Sequence, residues 1–252
     1  MIKKRLIFTL LIENSEFVLS RNFSLQKVGD LHWLLKNYNF NNISNFIDEL
    51  IILNVRNKTS NFDNFCNIIK KISKEIFIPV CAGGGVDSLE KAHKLLRSGA
   101  DKIIFNSLIY NRNELLKINK SIGQQSMVIS VDLKKINNKF FVFDNNNLNA
   151  SKKIDFLFKK DISNLFGEIY LNSVDKDGTG QGYCLSMINE VSEKIKNPII
   201  LAGGAGNWHH LLEGLQNEKV SAVATANLLN FIGDGLKNAR LNLHKKFDLA
   251  VW

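Results

Sequence analysis

A chain of 252 residues, 45% apolar and 23% charged, can bury a sizeable core, and with no apolar run near the ~20 residues that cross a bilayer it reads as a soluble globular protein. The net charge of +9 would suit nucleic acid, but the lysines are scattered among abundant asparagines without a basic stripe interleaved with aromatics, which argues against that class of partner. Cys66, Cys81 and Cys184 are odd in number and far apart, so no disulfide framework or metal knuckle is expected, and a reducing cytoplasm fits.

The N-terminal Met1-Ile2-Lys3-Lys4-Arg5 has the look of a leader's charged end. The apolar run that follows, Leu6 to Ile12, meets Glu13 and Asn14 with no small-residue cleavage site, so it reads as a first strand. Further runs of strand length follow in order: Leu50 to Val55, Phe77 to Ala82, Lys102 to Phe105, Met127 to Val131, Ile169 to Leu171, Pro198 to Ala202 and Ser221 to Ala224. Amphipathic stretches of helix length separate them. Between Ser88 and Ser98, for example, Leu89, Ala92, Leu95 and Leu96 form one stripe, Asp87 or Ser88 can cap it, and Gly99 can stop it. Continuous rather than alternating hydrophobicity marks strands buried on both faces, hence a parallel sheet.

The chain also repeats itself. Its two prolines, Pro79 and Pro198, lie 198 − 79 = 119 residues apart, and each leads an apolar run into paired glycines. At the same step Gly84 and Gly85 fall on Gly203 and Gly204, Glu49 on Glu168, and Asn106 on Thr225. Eight βα units in two similar halves predict one (β/α)8 TIM barrel over residues 1–252, with half-barrels of about 1–122 and 123–252. An open flavodoxin-like sheet would not account for the repeat.

In such a barrel the site lies past the C-terminal ends of the strands. Gly84-Gly85 with Asn106-Ser107 would make one phosphate cradle, and Gly203-Gly204 with Thr225-Ala226-Asn227 a second, since glycines admit an anion to backbone N–H groups at a helix start. Two cradles imply a ligand phosphorylated at both ends; the competing reading is that these glycines only make tight turns. His32, His93, His209, His210 and His244 show no ligand spacing, so neither a metal nor a cofactor is expected.

The combination of Ala82-Gly83-Gly84-Gly85, Gly99-Ala100-Asp101-Lys102, Asn106-Ser107, Asp175-Lys176-Asp177-Gly178-Thr179, Gly182-Tyr183 and Gly203-Gly204-Ala205-Gly206 resembles the cyclase (synthase) subunit family of imidazole glycerol phosphate synthase. That resemblance implies a doubly phosphorylated substrate, ammonia received from a glutaminase subunit docked at the opposite face, and acid–base work by two aspartates. It carries Asp132 and Asp177 over as acidic site residues, with Asp177 equally open to a loop-capping role. It places Arg5, Glu49, Lys102 and Glu168 in a charged gate at the N-terminal mouth, which could equally be a salt-bridge ring closing the barrel floor, and Asp101 at the partner interface. The family's first catalytic aspartate is Leu11 here, its loop lysine is Leu19, and the aspartate after its second strand is Asn54. These departures imply a divergent paralogue, of the kind that works beside a glutaminase and a sugar amidotransferase on surface-polysaccharide sugars. A cyclase that recruits Glu13 for the lost acid, and a silent phosphate-binding scaffold, are the alternatives. Arg56 and Lys58 would suit an extra acidic group on the ligand.

Overall fold

The computed structural model describes residues 3–37, 43–55, 61–144, 149–154, 160–192, 195–226 and 235–250. From the N-terminus, β1 (Arg5–Glu13) turns back into antiparallel β2 (Glu16–Arg21) and β3 (Ser24–Asp30), which lead to α1 (Leu31–Asn37). Units β4 (Glu49–Asn54) and α2 (Phe62–Ile72), β5 (Val80–Gly83) and α3 (Leu89–Arg97), and β6 (Lys102–Phe105) and α4 (Arg112–Ile122) complete the first half. In the second half β7 (Met127–Ile136) is followed by β8 (Lys139–Asp144), β9 (Asn149–Lys153) and α5 (Lys160–Ser163). Then come β10 (Glu168–Ser173), α6 (Ser186–Ser192), β11 (Ile199–Ala202), α7 (Trp208–Gln216), β12 (Val220–Thr225) and α8 (Gly235–His244).

The parallel neighbours run β10-β11-β12-β1-β4-β5-β6-β7, and β7 pairs with β10 again. The sheet is therefore a closed barrel, which leaves no barrel strand edge unpaired. Closure explains the continuous apolar runs. Leu6 and Phe8 pack outward under the helices, whereas Ile7, Ile51, Cys81, Ile104, Val128, Tyr170, Ile200, Ala202, Ala222 and Ala224 fill the interior.

The helices cover the outside for local reasons. Asn61 caps α2 by accepting the N–H groups of Asp63 and Asn64, and Phe65, Ile68, Ile69 and Ile72 form its buried face. Ser88 caps α3, as expected, and Gly99 follows its end at φ +103°, where a side chain would be strained. Asn207, 119 residues beyond Ser88, caps α7 in the same way.

Two expectations need correction. The third barrel strand begins at Val80, not at Phe77, whose side chain is 94% exposed. Pro79 lacks an N–H for the ladder, and it joins the sheet through its carbonyl, which accepts from Leu50 N at 2.9 Å. The antiparallel additions after β1 and β7 were not expected at all. Their turns use consecutive positive-φ pairs, Asn14-Ser15, Asn22-Phe23 and Asn137-Asn138. Such pairs give tight hairpin turns whose twist matches that of the strands.

Candidate functional site

The first residue of each of four barrel strands, Arg5, Glu49, Lys102 and Glu168, points its charge into one ring at the barrel floor. Arg5 Nη1 meets Glu49 Oε2 at 2.7 Å and Arg5 Nη2 meets Glu168 Oε1; Lys102 Nζ lies 3.1 Å from Glu49 Oε2 and 2.8 Å from Glu168 Oε2. Each cation thus touches both anions, and the ring is neutral. Glu49 is 2% exposed and Glu168 13%.

That difference sets their acidities. At Glu49 burial outweighs Lys102 and Arg5 and raises the carboxyl pKa, whereas at Glu168 burial is outweighed by Arg5 and Lys102 and the pKa falls. The two cations are raised, because the carboxylates outweigh their burial. Since Glu168 is depressed, its stabilisation is fully present above the unfolded value of ~4.3 and is lost as pH drops through the folded value. Glu49 has the opposite sign. In urea unfolding, the stability advantage of the wild type over Glu168→Gln should therefore shrink between pH 6 and pH 3, and an advantage that stays constant would contradict this assignment. Asp101, exposed beside the ring, accepts from Val80 N at 2.8 Å through Oδ2 and so fixes the start of β5.

At the other end of the barrel, Asp132 on β7 is 6% exposed and held by amides from both neighbouring strands. Asn172 Nδ2, on β10, donates to its Oδ1 at 2.9 Å, and Asn106 Nδ2, after β6, donates to its Oδ2 at 3.1 Å. Asn106 also donates to Ser130 O at 3.2 Å. Carboxylate orientation is fixed from two sides. Asn172 was absent from the expected set, although it lies just past the run Ile169 to Leu171 and meets the same strand-end criterion as the others.

Both glycine pairs have positive φ: Gly84 +102°, Gly85 +74°, Gly203 +82° and Gly204 +112°. A Cβ on Gly84 would fall 2.0 Å from Asn54 O, and one on Gly203 2.6 Å from Asn172 Oδ1. Close packing alone therefore demands glycine at these positions. Asn106 and Ser107 are exposed at the start of a 3₁₀ turn over Ser107–Tyr110. Thr225 ends β12, beside the β11 strand that leads into Gly203-Gly204, and its buried Oγ1 has no hydrogen-bond partner among the described residues. Ala226 follows. Asn227, Arg56 and Lys58 lie outside the described residues.

The pattern of histidine biosynthesis proteins matches residues 5–233. The chain belongs to this family. It is 46% identical, over its whole length and 95% of the relative's, to a protein provisionally named imidazole glycerol phosphate synthase subunit hisF2 from Parasynechococcus marenigrum. It is 30% identical to imidazole glycerol phosphate synthase subunit HisF of Chlorobium phaeovibrioides and 31% to that of Chlorobium phaeobacteroides, covering 98% of both chains in each comparison.

The positions at which the sequence departs from the resembled pattern, Leu11, Leu19 and Asn54, lie on β1, β2 and β4. Leu11 and Leu19 line a common cavity of about 20 Å³ together with Thr9 and Ala226. Glu13 closes β1 opposite Glu16, at the hairpin turn. Asn54 is buried at the end of β4. Among the described residues no group of three His, Cys, Asp or Glu could hold a metal, and no helix is long and apolar enough to cross a membrane.

Asp177 is occupied in a different way. Its Oδ2 accepts from Ser20 Oγ at 2.5 Å and from Phe23 N at 3.0 Å, and its carbonyl accepts from Asn22 N at 2.9 Å. The tip of the β2–β3 hairpin is thereby strapped to the loop after β10. A Cβ on Gly178 would lie 2.0 Å from Ser20 O, so the two backbones touch there. Phe23 packs edge-on against Phe143 of β8, ring centroids 5.3 Å apart. Burial raises the Asp177 pKa, and the two donors only partly offset this. Hydrogen bonds to a charged group contribute ~1.5–3 kcal/mol, so Asp177→Ala should open the hairpin about tenfold or more. Trypsin cleavage after the exposed Arg21 should accelerate accordingly, and an unchanged rate would exclude the strap.

Proposed function

We propose that this chain is the synthase-type subunit of a glutamine-dependent amidotransferase complex: it takes ammonia from a glutaminase subunit at the charged floor and binds a phosphorylated ligand at the roof. The acceptor is a sugar destined for surface polysaccharide, and a sugar amidotransferase is the third partner. The observation that carries the reading is the closed ring of Arg5, Glu49, Lys102 and Glu168, in a chain that has Leu11 where the family resemblance implies an acid. A ring needed only for stability could be replaced by apolar packing at little cost.

Gly84-Gly85 with Asn106-Ser107 and Gly203-Gly204 with Thr225-Ala226-Asn227 are the two anion cradles. The Thr225 hydroxyl, without a partner among the described residues, supports the second, because a phosphate oxygen would satisfy it. Asp132 is the acid or base of the roof, presented by Asn106 and Asn172. Asp177 positions the hairpin over the ligand, and Asp101 meets the glutaminase. The residue ranges 1–122 and 123–252 act as two half-barrels, one cradle to each.

The test is reconstitution with glutaminase and sugar amidotransferase. Amidated sugar formed from glutamine only when this chain is present supports the reading. A chain that instead converts the bisphosphorylated cyclase substrate rapidly, with activity abolished by Asp132→Asn, would establish the histidine-pathway reaction in its place.

A further inference from the structure

Between the floor ring and Asp132 the barrel interior is largely apolar, and its buried hydroxyls include Thr9, Tyr170 and Ser130, which shares the inward facing of Val128 on β7. Tyr170 on β10 and Thr9 on β1 share a hydrogen bond of 3.4 Å, and both side chains are buried. Strands β11 and β12 lie between β10 and β1 in the barrel wall. Tyr170 therefore reaches past two strands to find its partner. It can do so because those strands present alanines to the interior, Ala202, Ala222 and Ala224, where most other interior positions carry larger side chains. The phenol thus lies across the space that a straight passage from floor to roof would use. Burial holds its pKa far above the ordinary range, so the hydroxyl stays neutral and can both give and accept a hydrogen bond.

We propose that Tyr170, fastened to Thr9, is an inner plug that closes the barrel axis between the charged floor and Asp132 and admits only a small neutral hydrogen-bonding molecule. Ammonia can displace the Thr9–Tyr170 bond and replace it with its own. An ammonium ion would meet a largely apolar wall whose hydroxyls carry no counter-charge. The inference deepens the conduit reading of the preceding section and rests on it for the identity of the passing molecule, while the plug itself is a property of the isolated chain.

Xenon-pressurised crystals of the chain test the plug directly, since xenon fills dry apolar voids. The wild type should exclude xenon between the ring and Asp132, and Tyr170→Ala should take it up in a void joining the two ends. Tyr170→Leu serves the same purpose should the alanine variant fail to fold. Tyr170→Phe keeps the ring and should exclude xenon as the wild type does. Xenon along the whole axis of the wild type, or the same xenon positions in wild type and truncated variants, would overturn the plug. The expected xenon pattern combined with no transfer of glutamine nitrogen in any variant of the reconstituted complex would retain the plug and remove the conduit.

Discussion

Arg5→Met should destabilise the barrel by ~3–5 kcal/mol, the usual consequence of removing one partner from buried ion pairs. The guanidinium touches both Glu49 and Glu168, and without it Lys102 alone faces two carboxylates in a site with little access to water. Replacing all four charges with apolar residues of similar volume should restore most of the loss, because neither desolvation nor an unpaired charge then remains. The comparison separates two roles that static geometry leaves entangled. The quadruple variant should fold with a denaturant midpoint near that of the wild type, yet deliver no glutamine-derived nitrogen. Full delivery through an apolar floor would reduce the ring to a structural clasp.

Asp132→Asn should lower turnover in the reconstituted complex by ~10²–10⁴, the ordinary contribution of a positioned acid or base. Ligand binding should weaken less than turnover, although Asn106 of the proposed first cradle is a partner of Asp132. The substitution is not neutral for packing. Both Asp132 oxygens accept from amide donors, so an asparagine there must turn its own NH₂ toward Asn106 or Asn172 and leave a donor facing a donor. A stability loss of ~1–3 kcal/mol is expected from that mismatch, read from unfolding curves. Asp132→Ala with unaltered turnover would show that no proton passes through this group.

How much of this could be read from the sequence follows from which residues face where. Strands buried on both faces print unbroken apolar runs, so all eight barrel strands were legible, and β6 spans Lys102–Phe105 as expected. The repeat step of 119 residues also placed the glycine pairs and matched Glu49 with Glu168. The β2–β3 and β8–β9 additions were not legible. Ser24–Asp30 reads Ser-Leu-Gln-Lys-Val-Gly-Asp, a mostly exposed strand with no continuous apolar signal, and its turn lacks the glycine that usually marks a hairpin.

The same reasoning explains what was missed in the site. Tyr170 sits inside an apolar run and passes there for core, and only the register of β10 against β1 through two intervening strands brings its hydroxyl to Thr9. Asp177 was equally readable as an acid or a cap. The contact that distinguishes them comes from Ser20 and Phe23, more than 150 positions away in the chain, and no local pattern encodes it.

Glutamine labelled with ¹⁵N at its amide, supplied to the reconstituted complex in excess unlabelled ammonium, tests passage through the barrel most directly. The wild-type chain should give a nitrogen-containing product that keeps the ¹⁵N label, and the apolar-floor variant a product that loses it. Product nitrogen that matches the ammonium of the medium, with the wild-type ring intact, would contradict passage through the barrel.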